Sequence, residues 1–197
     1  MGRPATFDPQ DKLHQAMKVF WRYGYEATSV QMLCDALKLN RFSIYNAFGD
    51  KETLLNLALD HYGNTVTRRI QEPLYEPGGG LDAIRRYLGN LEEALLGRGG
   101  ELGCLMQVIG SETRIPEPAR RRVEGWFERL GGLLEAALLS ARQRQAMKAD
   151  LDINGAVTFL RVNVQGVLSQ RRRTLEMDEL RSYFRFLRQV VASWQVS

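Results

Sequence analysis

Cysteine is almost absent from this chain of 197 residues. It holds only Cys34 and Cys104, so neither a disulfide framework nor a multi-cysteine metal knuckle is available. Histidine is equally scarce: His14 and His61 each fall inside a helical pattern without a metal-like partner at helical spacing, and no metal site is expected. No stretch approaches the roughly 18 consecutive apolar residues of a membrane span, and the N-terminus lacks the apolar core of an export signal. A cytoplasmic protein with no membrane association is therefore expected. Strand-like alternation, internal repeats and low-complexity tracts are missing too. The run of glycines at residues 78–80 is no phosphate loop, since no strand precedes it and no lysine and hydroxyl residue follow at the required spacing. No nucleophile, base and orienting group can be assembled and no dinucleotide fingerprint follows a strand, so no catalytic residue, no enzyme activity and no cofactor are expected. Charge of one sign is in small excess, with 27 Lys and Arg against 23 Asp and Glu giving +4, so any surface for a polyanion must come from placement and not from bulk charge.

What the chain has in abundance is helical spacing, and the length suffices to bury about 70% of the unfolded surface without disulfides or metal. Asp8-Pro9 is a helix start, a capping side chain followed by proline at the first helical position, and Leu13, Ala16, Met17, Phe20 and Trp21 then form one stripe that ends at Gly24. Ser29 caps a helix of about two turns carrying Val30, Leu33, Ala36 and Leu37. Only Lys38 and Leu39 intervene before Asn40, the cap of the next helix, whose inner face is Ile44 and Phe48 and whose stop is Gly49. Two short helices joined so tightly are a helix-turn-helix, and the outer face of the second, with Arg41, Phe42, Ser43, Tyr45 and Asn46, suits a DNA major groove. By spacing alone, the same pair serves equally well as packing in a helical adaptor.

The flanks separate these readings. The aromatic pair Phe20-Trp21, the segment GYEATSV from Gly24 to Val30, the signature Ile44, Tyr45 and Phe48, and Lys51 with Leu54 and Leu55 together resemble the N-terminal DNA-binding domain of the tetracycline-repressor (TetR) family of bacterial transcriptional regulators. The resemblance is close over roughly the first quarter of the chain and extends to length and helical character beyond it. It implies an all-α protein with a three-helix helix-turn-helix domain at residues 1–50 and a larger helical effector-binding and dimerisation domain at 51–197. It further implies a ligand-responsive repressor that binds a palindromic operator of double-stranded DNA as a homodimer and is released by a small molecule. The sequence departs from the family pattern at Cys34, usually a small residue, at Phe42, also usually small, and at Lys38, usually the glycine of the turn. Lys38 there needs a left-handed or otherwise awkward backbone, at about 1 kcal/mol relative to glycine.

On this reading Arg41, Phe42, Ser43 and Asn46 face base edges, while Thr28, Ser29, Tyr45 and Lys51 contact phosphates. Arg3, in a short basic arm, reaches the neighbouring minor groove or is simply a frayed end. Asp50 caps a fourth helix that runs through Leu54, Ala58, Tyr62, Val66 and Ile70 to Pro73, after which residues 72–80 break the chain. Helices follow at 81–96, 104–113, 117–147, from Asp152, and at 177–194, for about nine in all. Tyr62, Met106, Trp126, Phe127, Phe159 and Asn163 are candidate walls of an effector pocket. The helix after Asp152 has two apolar stripes, one with Val157, Leu160, Val164 and Leu168 and another with Phe159, Val162 and Gly166, so cover on more than one side is expected. Val157, Leu160, Val164, Leu168, Tyr183, Leu187 and Val191 are the candidate dimer contacts. The arginines at 120–122 and 171–173 read as solvated helix ends or, more sharply, as sites for an acidic effector. Cys104, beside a glycine-rich loop at a helix start, is either an oxidant or electrophile sensor or a small buried apolar residue.

Overall fold

The computed structural model describes residues 7–196, so the basic arm with Arg3 lies outside the described residues. Ten α-helical segments follow one another: α1 (Pro9–Tyr23), α2 (Val30–Leu37), α3 (Arg41–Phe48), α4 (Lys51–Tyr62), α5 (Arg68–Gln71), α6 (Gly80–Leu96), α7 (Leu105–Gly110), α8 (Glu117–Gln143), α9 (Ile153–Arg173) and α10 (Met177–Ala192). A π turn, Gly63–Thr67, joins α4 to α5, so these two are one interrupted helical run and the expected number of about nine holds among the described residues. The only strand-like pairing described is a single bridge between Met147 and Gln195.

The starts are fixed by side chains that accept orphan backbone N–H groups. The Asp8 carboxylate accepts from the Gln10 N–H with Pro9 at the first helical position. The Ser29 hydroxyl accepts from the Met32 N–H at 3.1 Å, Asn40 Oδ1 from the Ser43 N–H at 2.8 Å, and Asp50 Oδ1 from the Thr53 N–H at 2.8 Å. Asp152 caps α9 in the same way, and Glu176 and Glu179 form a reciprocal capping box at α10. The apolar pattern runs unbroken through Tyr62, Val66 and Ile70, yet the helix widens at Gly63–Thr67, where the Thr65 hydroxyl donates to the His61 carbonyl at 2.7 Å.

The chain divides into two compact units. One runs up to Thr65 and takes in Cys104–Glu124; the other comprises Val66–Gly103 and the chain from Gly125 onward. In the first, α1 packs on α4 and α2, and Met17, Phe20, Leu33, Leu37, Ile44, Leu54, Leu55 and Leu59 are fully buried. In the second, α6 packs on α10, and the Arg188 guanidinium donates to the Glu92 carboxylate.

The dimer contacts read from the sequence need correction. Leu160, Val164, Leu168, Leu187 and Val191 are buried within the single chain, where they form its core, and are not available to a partner. Val157 and Tyr183 are half-buried, and the Tyr183 hydroxyl donates to the Asn163 carbonyl at 3.0 Å, with burial pushing its pKa up to about 12. The second stripe of α9 faces outward instead: Phe159 is 37% and Val162 61% exposed, and Phe186 of α10 is 67% exposed. The reason is symmetry of the pattern, since both stripes are apolar and only packing decides which is turned inward.

Candidate nucleic-acid interface

Lys38 makes the turn. It adopts φ 53°, ψ 44°, left-handed, as expected from the sequence for so short a turn, and α3 begins two residues after Leu39 with its cap Asn40 immediately before Arg41. The inner face of α3 is Ile44 and Phe48, both buried. Its outer face carries Arg41, Phe42 and Asn46 in the open, with Ser43 and Tyr45 half-buried at the edges. Phe42 is 80% exposed, a large ring left in water beside hydrogen-bonding neighbours. Arg41 Nε donates to the Tyr45 hydroxyl at 3.1 Å, and the guanidinium carbon lies 5.2 Å from the Tyr45 ring centroid. This stacking holds a side chain of otherwise high rotamer freedom along the helix surface.

The phosphate candidates divide. Ser29 is exposed at the start of α2, where helix N-terminal amides and a hydroxyl together suit an anionic oxygen. Thr28 is 1% exposed and its hydroxyl donates to the Gly24 carbonyl, so this side chain shapes the turn and is not presented to a duplex. Lys51 is half-buried, with its ammonium 4.2 Å from the Tyr25 ring centroid. Burial lowers its pKa, with Glu112 acting in the opposite direction.

Several partners are invisible to helical periodicity. The Glu112 carboxylate accepts from the backbone N–H groups of Tyr25 and Glu26, 87 residues away in sequence for the first. Arg122 Nε spans both oxygens of Asp60 at 3.1 and 3.2 Å, which removes it from the candidates for an acidic effector. Arg171 likewise donates to the Leu95 and Leu175 carbonyls, and Arg172 to that of Leu102. His14 Nδ1 and His61 Nε2 are 3.3 Å apart, joining α1 to α4. Among the described residues no group of three or more His, Cys, Asp or Glu is placed to hold a metal ion, and no helix is long and apolar enough to cross a membrane.

The effector candidates are spread over both units. Tyr62 and Met106 are buried in the first; the Tyr62 ring packs edge-on against Trp21 at 4.9 Å, and burial holds its hydroxyl well above the ordinary phenol pKa. Trp126, Phe127, Phe159 and Asn163 belong to the second, where the Arg129 guanidinium lies over Trp126, Phe159 meets Trp194 edge-on, and the Asn163 amide donates to the Phe159 carbonyl at 2.8 Å. Burial raises the Cys104 pKa, with the Tyr62 hydroxyl and nearby backbone N–H groups opposing. Burial thus disfavours the thiolate that a sensor needs, and the helix that follows is only six residues long.

The geometry has counterparts among known proteins. Residues 13–58 match the model of bacterial regulatory proteins, tetR family. Over 190 residues the chain is 31% identical to the HTH-type transcriptional regulator YezE of Bacillus subtilis, a match covering 93% of this chain and 95% of that protein. It is 25% identical over 182 residues to the HTH-type transcriptional repressor ComR of Escherichia coli, covering 91% and 86%. Among solved structures, a cysteine mutant of the TetR family transcriptional regulator CifR, complexed with a 26-base-pair double-strand operator DNA, superposes with a TM-score of 0.80 at 26% identity, covering 98% of this chain and 100% of that one. A left-handed turn between two short capped helices, and the likeness of nearly the whole chain to these regulators, together place it in one group: the protein belongs to the TetR family of bacterial regulatory proteins.

Proposed function

We propose that this protein is a ligand-responsive transcriptional repressor that binds a near-palindromic operator as a homodimer in the cytoplasm, without catalysing a reaction. The observation that carries the reading is the outer face of α3, where Arg41, Phe42 and Asn46 stand exposed on a scaffold whose inner residues are fully buried. Arg41 uses Nε on Tyr45, which leaves its terminal amino groups for the acceptor edge of a guanine. Asn46 offers the donor and acceptor that adenine requires, and Phe42 offers an apolar surface for a thymine methyl. Ser29 and Lys51 set register on phosphates. A dimer brings two such helices to successive grooves.

Residues 1–50 read DNA and 51–197 serve the effector and the second subunit in this scheme. The exposed stripe of Phe159 and Val162 with Phe186 is the surface through which α9 and α10 meet their copies. For the effector, the body holds a buried acceptor: Gln71 is 4% exposed and its Oε1 has no partner among the described residues. Leaving such a group unpaired costs about 1–3 kcal/mol, which a donor on a bound small molecule offsets. Trp126, Phe127, Phe159 and Asn163 supply aromatic and amide surface in the same unit. Such a molecule releases DNA only to the extent that it binds the released conformer better than the DNA-bound one. Recovery of bound fragments from a random DNA pool tests the reading. Symmetric half-sites are expected; recovered fragments without a consensus at moderate salt overturn it.

A further inference from the structure

Glu112 stands in the loop between α7 and α8, its side chain half-buried, and both of its oxygens are used on one target. The Tyr25 N–H donates to Oε1 at 2.9 Å and to Oε2 at 3.0 Å, and the Glu26 N–H donates to Oε2 at 3.2 Å. Successive backbone N–H groups converging on one carboxylate form an anion-binding concavity. Gly24 opens it: its φ is +80°, and a Cβ there would overlap the Glu112 carboxylate. The bracing is returned, because the Arg114 N–H donates to Glu26 Oε1 at 2.8 Å. Two carboxylates thus tie two distant turns in both directions.

The tied turn is the one that delivers α2. The Thr28 hydroxyl donates to the Gly24 carbonyl, and the Thr28 N–H donates to the Tyr25 carbonyl at 3.2 Å, so residues 24–28 are one closed unit ending at Ser29, the cap of α2. The segment Cys104–Glu124, which supplies Glu112, belongs to the same compact unit as the helix-turn-helix, and its C-terminal part is the start of α8, a helix that continues without a break to Gln143.

We propose that Glu112 is a positioning residue for DNA reading: its carboxylate holds the α1–α2 turn, and through it Ser29 and the start of α2, to the segment that begins α8, so that the tolerated spacing between half-sites is set in part by a residue outside the reading face. This rests on the DNA-binding reading above. A side chain that only stabilised the fold would change the melting temperature and leave spacing preference alone.

The test uses the full chain and the operator recovered with the wild type. Glu112→Ala, Glu112→Gln and Glu26→Gln are compared for amide exchange at Tyr25 and Glu26, for operator affinity, and for affinity to duplexes with a base pair inserted or deleted between the half-sites. For Glu112→Ala, exchange at both amides is expected to accelerate about tenfold or more and operator affinity to fall about tenfold, as loss of hydrogen bonds to a charged acceptor implies. Discrimination against altered spacing should shrink as well. Glu112→Gln, which keeps one acceptor oxygen, should recover most of the affinity. If Glu112→Ala does not fold, Glu112→Gln and Glu26→Gln carry the same comparison, with smaller losses expected from each. Unchanged exchange, or faster exchange with affinity and spacing preference as in the wild type, overturns the positioning role. A wild type that selects no consensus overturns the DNA-binding reading itself, before any variant is compared.

Discussion

α3 and α9 each expose a large ring, Phe42 at 80% and Phe159 at 37%, yet their surroundings differ in kind. Around Phe42 the neighbours are Arg41 and Asn46, side chains that match the edges of bases. On α9 the other exposed large apolar side chain is Val162, the Phe159 ring meets Trp194 edge-on, and α10 for its part exposes Phe186. Hydrogen-bonding groups beside an exposed ring are what base edges require, whereas an exposed apolar stripe is what a protein contact requires. The inner faces carry the opposite lesson. Both helices bury plain core, Ile44 and Phe48 in one, Leu160, Val164 and Leu168 in the other, and there they should behave alike.

The comparison can be broken at those inner faces first. Leu160→Ala should cost about 2–5 kcal/mol in chemical denaturation, the range for a buried leucine, because its role is core and not dimer contact. A loss confined to dimer dissociation would contradict that. Next, Val162→Asp on the outer stripe should shift sedimentation from dimer toward monomer while the far-ultraviolet spectrum of the chain stays intact, since the two copies of the charge would be desolvated against each other at about several kcal/mol. Arg41→Ala should cost about 1–3 kcal/mol in operator binding and relax preference at one base pair, with unfolding unchanged within about 0.5 kcal/mol. Lys38→Gly should stabilise the head by about 1 kcal/mol in the same denaturation assay, because the left-handed backbone no longer opposes a Cβ.

The smallest effect is a pH dependence of the α1–α4 pair. The His14 pKa is lowered from its ordinary value of 6.5, first by burial, then by Lys18 and His61, with Asp11 opposing. The unfolded chain therefore binds this proton more readily than the folded one. The contribution to stability is complete above 6.5 and is lost as the pH falls from there through the folded value. Melting curves from about pH 8 to about pH 5 should show the decline, and His14→Gln should flatten it.

Most of the first unit was legible in the sequence, because its geometry is local. Asp8, Ser29, Asn40 and Asp50 each cap a helix within three residues of themselves, and the position of Lys38 forces its backbone into the left-handed region whatever the rest of the chain does. Thr28 was misjudged because its hydroxyl answers to Gly24, behind it, and not to the helix ahead. Glu112 carried no signal, since an acid in a loop gains its meaning from amides 87 residues earlier. In α9 the pattern itself was symmetric, with two apolar stripes, and no local rule ranks one over the other. His14 and His61 lie in separate helices, and only the α1–α4 packing brings their rings together.

The π turn at Gly63–Thr67 holds one residue more than an α-helix of the same height needs. In an α-helix each residue adds about 100° of rotation, so a one-residue deletion within α4 would re-aim every side chain of α5, whereas the same deletion inside the π turn would let the run close as plain α-helix with those directions kept. The helical run therefore stores a unit of slack at the very point where the first compact unit ends, at Thr65.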